Sequence, residues 1–111
     1  MEHEVKEEQG KLVVALRGDV DLGSSPAARQ VLLECVGKGR DVVVDLSGVA
    51  YIDSSGVASL VEAFQSARRK GSRFGLAAVS DSALRVFRLA RLDKVFTIHG
   101  TVADGLSHGS S

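Results

Sequence analysis

Apolar and polar positions along the chain fall into a few repeating patterns. Lys11–Arg17 (Lys-Leu-Val-Val-Ala-Leu-Arg) is a nearly unbroken apolar run between charged ends, which predicts a strand buried on both faces. Before it, Val5–Glu8 is short and charged and leads into Gln9-Gly10. It predicts an edge strand of a hairpin, because charge discourages further pairing and glycine tolerates the positive φ of a tight turn. Valine-rich Asp41–Leu46 predicts a second buried strand, Arg73–Val79 a third, and Lys94–Ile98 a short last one.

Between these runs the apolar period becomes helical. After a Gly18–Gly23 loop, Ser24-Ser25-Pro26 predicts a helix start, with Ser25 as N-cap and Pro26 at the first helical position. Ala28, Val31, Leu32 and Cys35 then form one buried stripe that stops at Gly37-Lys38-Gly39, and Cys35 reads as a small core hydrophobe. A longer helix runs from Asp53-Ser54-Ser55-Gly56 to Lys70-Gly71. It places Val57, Leu60, Val61 and Phe64 inside, and Ser59, Glu62, Gln65, Ser66 and Arg69 outside. Ser80-Asp81-Ser82 caps a third helix that buries Ala83, Val86, Phe87 and Ala90. Thr101 caps a brief fourth, and residues 107–111 read as a frayed tail. The alternation predicts an α/β fold with a single mixed β-sheet. The sheet is mostly parallel with one antiparallel edge strand, and the helices lie mainly on one face.

At 111 residues the chain is expected to be one domain, 1–111. Hydrophobic residues at 44% and charged residues at 25% exclude a disordered or collagen-like chain. No apolar run nears the ~20 residues that span a bilayer, and the acidic Met1-Glu2-His3-Glu4 start lacks a signal-peptide core. A cytoplasmic protein with no direct membrane insertion is therefore expected. Zero net charge argues against nonspecific nucleic-acid binding, so no nucleic acid is expected as a partner. The total conceals a division: residues 1–55 carry 6 Lys/Arg and 10 Asp/Glu, whereas residues 56–111 carry 8 and 4. Arg68-Arg69-Lys70, Arg73, Arg85, Arg88 and Arg91 read first as solvated helix faces.

Searching for catalytic machinery returns little. Neither phosphate-cradling glycine motif is present, and G-x-S-x-G is absent. His3, His99 and His108 are scattered, and Cys35 stands alone, so no enzyme activity, cofactor or metal is expected. Asp19 and Asp21 fit turn and capping roles better than acid–base work. One constellation stands apart: Asp53-Ser54-Ser55-Gly56 at a strand-to-helix junction. Its three oxygen-bearing side chains form either an over-determined N-cap or a cap plus a hydroxyl offered to a modifying enzyme. A phosphoryl group there would bring about −2 charge to the positive end of a helix dipole. The fold would tolerate it, while any partner docked on the junction would meet a new dianion.

The run Val42-Val-Val-Asp-Leu-Ser-Gly-Val-Ala-Tyr-Ile-Asp-Ser-Ser-Gly-Val57 resembles the signature of STAS domains, the family of bacterial anti-sigma factor antagonists. Gly18-Asp19-Val20-Asp21 and Arg85–Phe96 add to the likeness, which covers nearly the whole chain. The resemblance implies that Ser54 is the phosphoacceptor, beside Asp53. It further implies a docking surface made of Asp53, Ser55 and Gly56 with Gly18, Asp19, Asp21, Leu22, Gly23 and Ser24. The implied partner is an anti-sigma factor with serine kinase activity, bound by the unphosphorylated form so that the sigma factor is freed. A phosphatase resets the switch. Val57-Ala58-Ser59 is less bulky than the family's usual continuation. The alternative implied by the same resemblance is a cytoplasmic STAS subunit of a bacterial phospholipid-trafficking ABC transporter, docked on its permease or ATPase.

Overall fold

A computed structural model describes residues 1–107. Five strands form one sheet in the order β1 (Glu2–Glu8), β2 (Lys11–Arg17), β3 (Val42–Gly48), β4 (Phe74–Ala77) and β5 (Thr97–His99). The first pair is antiparallel and all the others are parallel. Between the parallel strands run helices α1 (Ser25–Gly37), α2 (Ser54–Lys70) and α3 (Asp81–Leu89), and α4 (Val102–Ser107) follows β5. The mixed sheet with a single antiparallel edge matches the pattern expected from sequence. Positive φ at both Gln9 and Gly10 gives the β1–β2 hairpin a type I′ turn, whose twist suits the flanking strands.

Strand alternation divides the core. Leu12, Val14 and Leu16 of β2 and Val42, Val44 and Leu46 of β3 face Leu32 of α1, Leu60 of α2 and Phe87 of α3 in one buried cluster. Burying each of Leu32, Leu60 and Phe87 contributes on the order of 1.5–3 kcal/mol. Val13 and Val43 point to the opposite face, where only α4 packs: a Cβ added to Gly105 would lie 3.0 Å from Val43 Cγ1. Three helices thus cover one face and a short fourth covers part of the other. Among the described residues no helix is long and apolar enough to cross a membrane.

Several local expectations shift. β1 begins at Glu2 rather than Val5, because pairing with β2 extends from Glu2↔Arg17 to Glu8↔Lys11. The N-cap of α1 is Ser24, not Ser25; Ser25 is already helical and buried, and Pro26 sits in the first turn. The last strand is Thr97–His99 rather than Lys94–Ile98, since Phe96 turns inward to pack edge-on against Phe64 and Phe87. Ala90 ends α3 as its exposed C-cap instead of joining the core. Ser59, expected on the wet side of α2, is buried where α2 meets α1, and its hydroxyl donates to the Ser25 and Ser55 carbonyls. Ser107 closes α4, while the rest of the expected frayed tail, 108–111, lies outside the described residues.

Candidate functional site at the Ser54 junction

Parallel strands β2 and β3 end side by side, and the chain leaving each continues alongside the other. Val20, beyond β2, bridges Ile52, beyond β3, in parallel fashion. Val20 N–H donates to the Tyr51 carbonyl at 3.0 Å, and Asp53 N–H donates to the Val20 carbonyl at 3.2 Å. The Gly18–Ser24 loop and the Asp53–Gly56 junction therefore lie side by side. Gly56 permits this approach, because a Cβ there would stand 2.6 Å from the Val20 carbonyl oxygen and 2.8 Å from Ile52 Cγ1.

Asp21 organises the loop from within. Its Oδ1 accepts from Gly23 N–H at 3.0 Å, Ser24 N–H at 3.1 Å and the Ser24 hydroxyl at 3.2 Å. Ser24 Oγ also donates to the Asp19 carbonyl at 2.8 Å and accepts from Asp21 N–H. That hydroxyl is turned back into the loop, which explains why the α1 N-cap makes no side-chain cap bond. Gly18 takes φ +90°, and its N–H donates to the Gly48 carbonyl, closing the loop's base. Asp19, Gly18 and Gly23 are exposed, and Leu22 projects with 77% of its surface in solvent.

The junction itself separates the roles of three neighbouring side chains. Asp53 is the N-cap of α2: its Oδ1 accepts from Ser55 N–H at 2.9 Å, Gly56 N–H at 3.1 Å and the Ser55 hydroxyl at 2.5 Å. The Ser55 hydroxyl first, then the Gly56 amide, hold the Asp53 carboxyl below its ordinary value, so it stays ionised at neutral pH. Ser55 is thus spent on Asp53. Ser54 is exposed, and its hydroxyl makes no hydrogen bond among the described residues. The helix start needs Asp53 but has no use for Ser54 Oγ.

Sequence reasoning missed the floor beside that hydroxyl. Ser54 stands at the edge of a groove of about 410 Å³ between α2 and α3, walled by Val57, Ala58, Val61, Val86 and Leu92. The only local sign was the apolar Val57/Val61 pair, which reads equally well as core. From α1, Arg29 forks onto Glu62 of α2, with Nε and Nη2 at 2.6 and 2.7 Å from its carboxylate oxygens, fastening α2 at its flank. Burial pushes the Cys35 thiol up, in keeping with a core role. No group of His, Cys, Asp and Glu among the described residues is arranged to hold a metal ion.

This geometry can be set beside known proteins. The family model described as STAS domain matches residues 2–105. The anti-sigma-B factor antagonist of Bacillus subtilis is 26% identical over 103 residues, covering 93% of this chain and 94% of that protein. The anti-sigma-B factor antagonist of Listeria monocytogenes is 30% identical over 97 residues, covering 86% and 85%. Among solved structures, an anti-sigma factor antagonist from Mycobacterium paratuberculosis superposes with a TM-score of 0.88 at 28% identity, covering 96% of this chain and 91% of that one. SpoIIAA in its unphosphorylated form shares the fold, with a TM-score of 0.80 at 17% identity over 95% of this chain and 93% of its own. With the family model spanning all five strands and the Ser54 junction, the chain belongs to the STAS domain family.

Proposed function

We propose that this protein is an anti-sigma factor antagonist switched at Ser54. In its unphosphorylated form it binds an anti-sigma factor that has serine kinase activity, using the surface formed by the Gly18–Ser24 loop and the Asp53–Gly56 junction. Binding frees the sigma factor. The bound kinase transfers the γ-phosphoryl group of ATP to Ser54 Oγ; the hydroxyl proton is lost and ADP leaves. The resulting dianion, beside ionised Asp53 and exposed Asp19, repels the partner, and a phosphatase restores the hydroxyl by hydrolysis. The observation that carries this reading is the exposed Ser54 hydroxyl, left unused by a helix cap that Asp53 completes alone.

Incubation with an anti-sigma factor kinase and ATP is expected to add the mass of one phosphate, and Ser54→Ala to abolish the addition. Ser54→Asp should keep the wild-type fold by circular dichroism and lose partner affinity by about 100-fold or more. Full affinity in Ser54→Asp would overturn the switch. Co-purification with an ABC transporter permease or ATPase, without any phosphoryl transfer, would favour the transporter subunit instead.

A further inference from the structure

The opposite end of the sheet carries a second concavity. β2, β3 and β4 begin there, with Lys11, Val42 and Phe74, so it is the end away from Ser54. A cavity of about 230 Å³ opens at that end, and its lining includes Lys11, Arg68, Arg73 and His99 together with Phe64 and Phe74. Two glycines leave the room: a Cβ on Gly75 would lie 3.1 Å from His99 Nε2, and one on Gly105 would lie 3.3 Å from His99 Cδ2.

Arg68 and Arg73 line this cavity with one carboxylate among the described residues, Asp41, whose Oδ1 accepts the backbone N–H of Arg73 at 2.9 Å. Lys11 is only 9% exposed and donates to the Leu106 carbonyl at 2.8 Å, which fixes a cation in the wall. Neither the Arg68 nor the Arg73 guanidinium pairs with a carboxylate among the described residues. Arg68 lies 6.0 Å from the Phe64 ring centroid, a cation–π distance that steadies the side chain and leaves its edge donors available. Planar forked donors of this kind match the paired oxygens of a carboxylate or phosphate.

We propose that this cavity binds a small organic anion, with its carboxylate or phosphate on the Arg68/Arg73/Lys11 side and its apolar body against the Phe64–Phe74 wall. The volume falls below the ~300–1,000 Å³ of drug-sized sites, so the ligand is a compact one. The site is independent of the Ser54 switch and stands whether or not Ser54 accepts phosphate.

Titrating the isotopically labelled full chain with benzoate, acetate and inorganic phosphate, followed by amide NMR, tests this. Benzoate should give saturable shifts at Gly75, Thr97 and Gly105 while Ser54–Gly56 stay still, with Kd on the order of 1 mM. Benzoate should bind more tightly than acetate, and saturation by inorganic phosphate without benzoate would overturn the organic anion. Arg68→Gln and Arg73→Gln, both at exposed positions, should each weaken binding about tenfold, whereas Arg85→Gln should not. The proposal is overturned if shifts drift without saturating, if they appear equally around Arg85 and Arg88, or if Arg68→Gln/Arg73→Gln binds as the wild type does.

Discussion

The two ends of one sheet are built on opposite principles. Where β2 and β3 end, the backbone is closed up: Val20 pairs with Tyr51 and Asp53, Asp21 and Asp53 each take three donors, and Gly56 sits with no room for a methyl group. Where β2, β3 and β4 begin, glycines leave space and cations line it. The first arrangement presents one hydroxyl on a rigid mount, which suits a group that another protein must find and modify. The second lines its hollow with cations, unlike the largely apolar groove beside Ser54, and so suits a small anionic ligand. The charge division follows the same axis in part, with Asp19 and Asp53 at the Ser54 end and Lys11, Arg68 and Arg73 at the other.

The sharpest way to break that contrast is a methyl group at the crowded end. Gly56→Ala would push a Cβ against the Val20 carbonyl, the Val20 side chain and Ile52, none of which can swing away because the Val20–Ile52 bridge holds them. A loss of about 1–3 kcal/mol is expected, read as a lower urea midpoint at unchanged m-value. A variant as stable as the wild type would show that the junction is looser than its contacts imply.

The same substitution at the open end should do much less. In Gly75→Ala the new methyl meets the tip of the half-buried His99 ring at 3.1 Å, the far end of a side chain, whereas Gly56→Ala meets backbone at 2.6 Å. Replacing glycine within a strand also recovers roughly 0.5–1 kcal/mol of backbone entropy. Stability is expected to stay within about 1 kcal/mol of wild type. The methyl group should nonetheless take up part of the cavity and weaken benzoate binding, measured in the same titration. Equal stability losses in Gly56→Ala and Gly75→Ala would erase the distinction between the ends.

That distinction was only half legible in the sequence. The Ser54 end is built from contiguous segments, and Asp-Ser-Ser-Gly at a strand-to-helix boundary has few structural meanings. The sheet, its antiparallel edge and the hairpin turn were likewise written in local alternation. What stayed hidden depends on long-range contact. Ser59 looked wet because serine usually is, yet the α1–α2 contact buries it and a tertiary bond to the Ser25 carbonyl satisfies it. Lys94–Ile98 has the apolar content of a strand, but Phe96 is drawn into the ring cluster with Phe64, Phe74 and Phe87. The basic cavity gathers Lys11, Arg68, Arg73 and His99 from three strands or their margins and one helix, a set with no common spacing to notice.

The smallest expected effect concerns the charge that holds the crowded end together. Hydrogen bonds from Ser55 and Gly56 hold the Asp53 carboxyl below its ordinary value of 3.8, so ionised Asp53 favours the folded state. Because the folded value is the lower one, this contribution is fully present above pH 3.8 and fades as pH falls through the folded value. Asp53→Asn retains a side-chain oxygen able to cap α2, so its melting temperature at pH 7 should drop by only a few degrees. The difference from wild type should then narrow in melts taken below pH 3.8, where protonation brings aspartate closer to the neutral amide. A gap that stays constant across that range would mean that the cap acts through shape alone, and that charge plays no part in holding the Ser54 end rigid.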